Sequence, residues 1–387
     1  MENIIVDLCR HFSKAYSSFI ICFGSVEDPR VSALVTYQFE EILFATLCGV
    51  IAGCDDFEEV VLFSNDHLTY LRRYFPYTNG FPKEQCLIKL FSRIDGDNFE
   101  RRFNKWLSKT INHIKGVIAI DGKTIRGSGH KDRKALHIVS AFIQEQGLIL
   151  GQRKVNDKSN EITAIPELLD NIDVKGTIVT LDAMGCQKKI AAKIIEKEAD
   201  YVLALKNNHG SLYDDVTRFF ARHEALNFSN RGYVFEIDKI TDADHGRIES
   251  RKIVMLSDVS WLTFDHPQWS NFKSIIMIDS TRMHKNKDTR GSSEKRYYIS
   301  SLDCDAKKAA KAIRAHWSVE NNLHWVMDVT FNEDKCTTRK DNAPLNFAII
   351  KRVAFNMLKM NTTKMSLKNK RKKASWDPDF LTKILIN

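Results

Sequence analysis

The sequence predicts a mixed α/β layer protein: helices first, then a mixed sheet carrying a β-rich insertion, then a basic helical segment. Three observations lead there. Amphipathic helical patterning gives way at Lys115 to short continuous apolar runs of the kind that form buried strands. Runs and helical stretches then follow in the order β-β-β-α-β-α-β, the signature of a layered α/β core. Residues 210–300 break this order with several further strand-like runs.

In chain order, Tyr37 to Gly53 has a broad apolar face and ends in Gly, as a buried helix does. Asp55, Asp56, Glu58 and Glu59 favour the first turn of a second helix. Asn79-Gly80-Phe81-Pro82 is a turn, and Pro82 suits the start of a helix that continues from Lys83 to Asp95. A last helix runs from about Asp97 to Ile114. This part reads either as a helix-turn-helix module or as a helical cap or dimerisation domain.

Gly116 to Ile120 is a strand that ends at Asp121-Gly122. Ala135 to Ile143 and Gly147 to Val155 form a hairpin across Gln144-Glu145-Gln146-Gly147. Ser159-Asn160 caps a helix over Glu161 to Leu169. Gly176 to Leu181 is a strand ending in Asp182. A helix over Gln187 to Glu198 and a strand over Tyr201 to Leu205 follow. The insertion holds a helix (Ser211 to Glu224) and strands at 233–237, 251–256, 273–279 and 296–301, with a flexible loop over His284 to Lys295. Helix resumes at Asp305 and reaches about Val329. Asn342-Ala343-Pro344 opens another helix to Met360. The expected divisions are 1–112, 113–335 and 336–387.

Composition narrows the function. Hydrophobic residues are 43 % and charged residues 28 % of 387, which excludes wholesale disorder. The eight cysteines form no CxxC and join no His pair at zinc spacing, so they read as reduced, buried thiols of a cytosolic protein. The longest apolar run, Ile42 to Cys54, is too short to cross a bilayer, and MENIIVDLCRHF is no signal peptide. A soluble cytoplasmic protein without a membrane partner is expected. Charge is uneven: net −6 over residues 1–82 and net +12 beyond residue 110. Basic excess on one portion suits a polyanion binder. From Lys351 to Ser375 there are nine Lys/Arg and no acid. That run is either a solvated face or a phosphate track, with Lys370, Arg371, Lys372 and Lys373 at its centre.

The candidate chemistry lies in the acids. Asp121 and Asp182 each follow a buried strand, where a rigid scaffold can present a catalytic group. An Asp there is more often a turn former or helix cap. A third acid comes from the amphipathic helix around Trp317 to Asp328, where Glu320, His324 and Asp328 fall at i, i+4 and i+8. Three converging carboxylates make a hard oxygen site for Mg²⁺ or Mn²⁺, suited to phosphodiester cleavage. On the plainer reading Trp317 and Trp325 are core residues and His324 a packed helix histidine.

At these residues the chain resembles the H-repeat-associated insertion-sequence transposases of the DDE class. The resemblance covers nearly the whole chain: VIAIDGKTIRGS (117–128), KSNEITAIPELL (158–169), TLDAMGCQKKIA (180–191), HGRIESR (245–251), RYYISSL (296–302), HWSVENNLHWVMDVTFNED (316–334) and NAPLNFAIIKRVAFNMLK (342–359). It implies a ribonuclease-H-like core with the β-insertion between the second Asp and the Glu. It implies Asp121, Asp182 and Glu320 as catalytic metal ligands for Mg²⁺ or Mn²⁺. Ile313, His316 and Met327 stand where related DDE transposases often hold Tyr, Arg and Lys, which leaves Asp328 as a competitor to Glu320. Lys123, Arg126 and Lys206 are expected to position phosphates. The implied activity is DNA transposition: hydrolysis at element ends, then strand transfer to target DNA by a homo-oligomer on DNA. The competing readings are a non-catalytic DNA-binding remnant and a structure-specific nuclease without strand transfer.

Overall fold

The computed structural model describes residues 19, 23–24, 26–111, 114–131, 133–156, 159–229, 232–244, 247–284 and 292–386. Over the described residues from 26 to 111 the helices are α1 (Phe39–Ala52), α2 (Phe57–Asp66), α3 (Leu68–Leu71), α4 (Glu84–Arg93) and α5 (Gly96–Thr110). α1 is apolar on all sides and buried along nearly its whole length, as an all-round hydrophobic helix must be. It stops at Gly53, whose φ of 117° closes the helix in a conformation that glycine tolerates. Asp56 caps α2 and Asp95 caps α5 through their side chains.

Nine strands then form one sheet in the order β3-β2-β1-β4-β5-β9-β8-β7-β6. β1 (Val117–Ile125), β2 (Leu136–Ile143) and β3 (Leu148–Lys154) are an antiparallel meander. α6 (Glu161–Asp170), β4 (Ile178–Leu181), α7 (Lys188–Glu196) and β5 (Asp200–Leu205) follow, with β4 and β5 parallel to β1. This five-strand unit is the ribonuclease-H-like core. Asp121 is not at a strand end, however. β1 runs four residues past it because Gly122 to Ile125 continue pairing with β2. The parallel pairing with β4 stops at Ala119↔Thr180. Continued by two places, that register sets Asp121 level with Asp182, where β4 has just ended and the sheet opens.

The insertion comprises α8 (Gly210–Glu224), β6 (Phe235–Asp244), β7 (Arg247–Leu256), α9 (Ser260–Asp265), β8 (Ser274–His284) and β9 (Ser292–Ser300). It does not make a separate sheet: β9 pairs antiparallel with β5 from Val202↔Ser300 to Leu205↔Tyr297. The loop expected over 284–295 is shorter, since β8 includes His284 and β9 begins at Ser292; residues 285–291 lie outside the described residues.

α10 (Ala306–Val319), a π-helical turn (Glu320–His324) and α11 (Trp325–Thr330) cross the sheet. The buried face of α10 is mostly alanine (306, 309, 310, 312 and 315) and packs with Val117, Ile178 and Val202 of the central strands. Small side chains let the helix approach the sheet closely, which brings Glu320 and His324 down onto Asp121. α12 (Ala343–Met360), α13 (Leu367–Trp376) and α14 (Pro378–Leu385) complete the fold. α12 packs on α1, α4, α5 and β3, so one apolar core runs from the N-terminal helices through the meander to the C-terminal helices. Among the described residues no helix is long and apolar enough to cross a membrane.

Candidate active site

Asp121, Asp182 and Glu320 line one cavity of about 400 Å³, together with Lys206, His316 and Trp317. Asp121 comes from mid-β1 and Asp182 follows directly after β4. Glu320 opens the π-helical turn, whose Trp325 N–H donates to the Glu320 carbonyl. Such bulges concentrate at functional sites. The turn also carries His324, so Asp121, Glu320 and His324 each present a ligand atom within 4.8 Å of the others. His324 Nδ1 lies 3.4 Å from Glu320 Oε2 and 3.7 Å from Asp121 Oδ2. The sequence reading made His324 a packed helix histidine; its i+4 spacing from Glu320 was the signal that could have placed it here.

Asp182 sits one step outside this tight group. Its Oδ1 accepts from Met184 N (2.9 Å) and Gly185 N (3.1 Å), so it forms the turn after β4 while facing the cavity. Glu161 is a further acid that sequence reasoning missed. It pairs with His137 at 2.7 Å and reaches β1 beside Asp121 through the space left by Gly122, where a Cβ would stand 2.2 Å from Glu161 Oε1.

The electrostatics follow from this crowding. Burial pushes the Asp121 carboxyl up to about 7; the Gly122 backbone opposes this, and the charges of Glu320, Glu161 and Asp182 reinforce it. Burial lowers the pKa of both His316 and His324, which holds their rings neutral despite the acids nearby.

Asp328, the competing third carboxylate, points elsewhere. Its Oδ1 is 2.7 Å from Lys123 Nζ, an ion contact lying off the hydrogen-bond direction. Lys123 is only 8 % exposed and also meets Asp334 at 3.1 Å and Glu333 at 3.9 Å. Lys123, expected to position phosphates, thus faces acids of its own chain: the segment 328–334 lays three of them over it. Behind them Glu333 pairs with the fully buried Arg352 at 2.5 Å. Arg126 is exposed, with Nε 3.5 Å from Asp334, and Lys206 is exposed at the cavity.

The basic tail divides. Lys370 and Arg371 are buried and do not form a phosphate track. Lys370 Nζ donates to the carbonyls of Leu358 (2.9 Å) and Asn361 (2.5 Å) at the end of α12. Arg371 donates to Val50 O in the last turn of α1, to Cys54 O just past it, to Thr330 O at the end of α11 and to Asp55. Helix C-termini leave carbonyls unpaired, and these cations satisfy them. Lys372 is exposed and Lys373 half-exposed, 3.7 Å from Asp377. Trp317 and Trp325 are 50 % and 58 % exposed, not core, and the Arg296 guanidinium lies 4.5 Å from the Trp317 ring.

Known proteins share sequence with nearly the whole chain. The family described as "Transposase DDE domain" matches residues 112–357, and one described as "DDE_Tnp_1-associated" matches residues 20–107. "Putative transposase YncI" of Escherichia coli O157:H7 is 41 % identical over 368 residues, spanning 94 % of this chain and 93 % of that protein. "H repeat-associated putative transposase YhhI" of Escherichia coli strain K12 is 38 % identical over 366 residues, spanning 93 % and 95 %. A solved piggyBac transposase synaptic complex with hairpin DNA is similar at a TM-score of 0.45 and 12 % identity, covering 95 % of this chain and 80 % of that one.

Proposed function

We infer that this chain, which belongs to the transposase DDE-domain family, cuts a DNA phosphodiester with a divalent metal and joins the freed 3′ end to a second DNA. The observation that carries the inference is the convergence of Asp121, Asp182 and Glu320 on one cavity from two neighbouring strands and a helix.

The donor set fits a divalent cation. Two carboxylates and a neutral imidazole crowd together with Asp182 on the same cavity, and the neighbouring acids add to the burial that raises the Asp121 carboxyl. A cation relieves that repulsion. Asp121, Asp182 and Glu320 would hold Mg²⁺ or Mn²⁺, which when bound supplies an activated water and neutralises the leaving oxygen. The chain's own groups do the rest. Lys206 at the cavity and Arg126 on the exposed turn after β1 supply cations for the phosphates on either side of the cut. Lys372 and Lys373 extend that attraction along DNA without reading sequence. Lys123 acts from behind: it anchors Asp328 and Asp334, and so fixes the helix that carries Glu320.

The test is cleavage of DNA bearing the element's end sequences, with Mg²⁺ present. Asp121→Asn and Asp182→Asn should each abolish cutting while DNA binding stays nearly intact. Full cutting by either variant would refute the metal site. Cutting by the unaltered chain without joining to a second DNA would reduce the activity to that of a nuclease.

A further inference from the structure

We propose that His324 is itself a metal ligand, so that the site has a mixed nitrogen–oxygen donor set and prefers Mn²⁺ to Mg²⁺. The inference rests on the metal-dependent reading above and deepens it.

His324 is only 7 % exposed, and a histidine this buried ordinarily has both ring nitrogens in hydrogen bonds. Here Nε2 is buried with no partner. Nδ1 faces two carboxylates at 3.4 and 3.7 Å, both longer than the roughly 2.7–3.2 Å of a good N–H···O bond. The spacing instead suits donors sharing an ion. Ligands about 2.1 Å from one octahedral ion stand between about 3.0 Å apart when adjacent and about 4.2 Å when opposite. The chain geometry supports the same reading. Residues four apart share a helix face, so Glu320 and His324, at the two ends of the π turn, both reach Asp121.

The donor chemistry gives the preference. Mg²⁺ demands oxygen ligands in near-ideal octahedral geometry, whereas an imidazole nitrogen is a softer donor that transition metals accept more readily. His316, the neighbouring histidine of the cavity, spends its Nδ1 on Thr180 Oγ1 at 3.2 Å and lies outside the cluster of Asp121, Glu320 and His324.

Pulsed electron paramagnetic resonance on the full chain loaded with Mn²⁺, without DNA, tests this directly. The expected spectrum shows nitrogen hyperfine coupling. His324→Gln should remove the coupling and weaken Mn²⁺ binding by about tenfold or more, with Mg²⁺ binding weakened less. His316→Gln should keep the coupling. Bound Mn²⁺ without nitrogen coupling, or coupling that survives in His324→Gln, overturns the proposal and leaves the carboxylate site standing. A chain that takes up neither ion overturns both readings. If His324→Gln does not fold, the His137→Gln, His316→Gln double variant carries the test: loss of coupling there overturns the assignment to His324, and retention supports it.

Discussion

Replacing Arg371 with Ala should unfold the protein more readily while leaving the salt dependence of DNA binding alone. The guanidinium is 4 % exposed and bridges the carbonyls of Val50, Cys54 and Thr330 and the carboxylate of Asp55. It also lies 4.4 Å from the Phe331 ring. Its removal leaves helix-end carbonyls buried and Asp55 without its cation. Breaking one side of a buried charged pair costs about 3–5 kcal/mol, and the carbonyl bonds overlap with that figure more than they add to it. At roughly 2–4 °C per kcal/mol for a large domain, the melting temperature should fall on the order of 10 °C. Lys372→Ala, on an exposed side chain, should move it by no more than about 1–2 °C. Scanning calorimetry on both variants, with filter binding across a salt series, separates the roles. An Arg371→Ala chain that melts normally but loses salt dependence would refute the structural assignment and restore the phosphate track.

Other outcomes follow from the same geometry. Glu320→Gln should eliminate cutting, whereas Asp328→Asn should keep measurable cutting at lower stability, because Lys123 retains Asp334 and Glu333; the reverse pattern in a cleavage assay would reassign the third carboxylate. Neutralising Lys372 and Lys373 together should lower the slope of log binding constant against log salt by about 1–2, at roughly 0.9 per phosphate contact. A fall of 3–4 on neutralising the whole 370–373 run, in folded protein, would contradict the burial of its first two members. Lys123→Met should destabilise by about 3 kcal/mol, since Asp328 and Asp334 then lose the buried cation between them while Glu333 keeps Arg352, and urea unfolding reads it.

Much of the fold was legible because local patterns and tertiary needs coincide. Buried strands show as apolar runs, and caps such as Asn160 and Asp305 accept the backbone N–H bonds their positions suggest. What the sequence concealed was tertiary. The outer halves of β6 and β7 are polar, as in Asp238 to Asp244, so the apolar runs mark only the inner half of each strand. Asp121-Gly122 has the composition of a turn, yet pairing with Ser140 and Val139 carries the strand through it. The charge run at 370–373 looked uniform because sequence does not show that unpaired carbonyls wait beneath Lys370 and Arg371. Glu320 and His324 share a helix face by their spacing, but a π turn leaves no mark in hydrophobic periodicity, so their joint approach to Asp121 does not show in the sequence.

The insertion's pairing of β9 with β5 sets when the three acids of the cavity can first meet. Asp121 and Asp182 belong to strands that can pair as soon as they are made, whereas Glu320 follows them only after the four-strand arm, 138 residues beyond Asp182 (320 minus 182). At about 5–20 residues per second, ribosomal synthesis of that stretch takes roughly 7–30 s. Non-local closure of this kind is also slow to fold. The braces for the returning helix come later still, Arg352 against Glu333 and Arg371 against Thr330. A nascent chain therefore carries Asp121 and Asp182 before Glu320 exists, and under the proposed function any cutting waits until the helix that bears Glu320 has been made and docked.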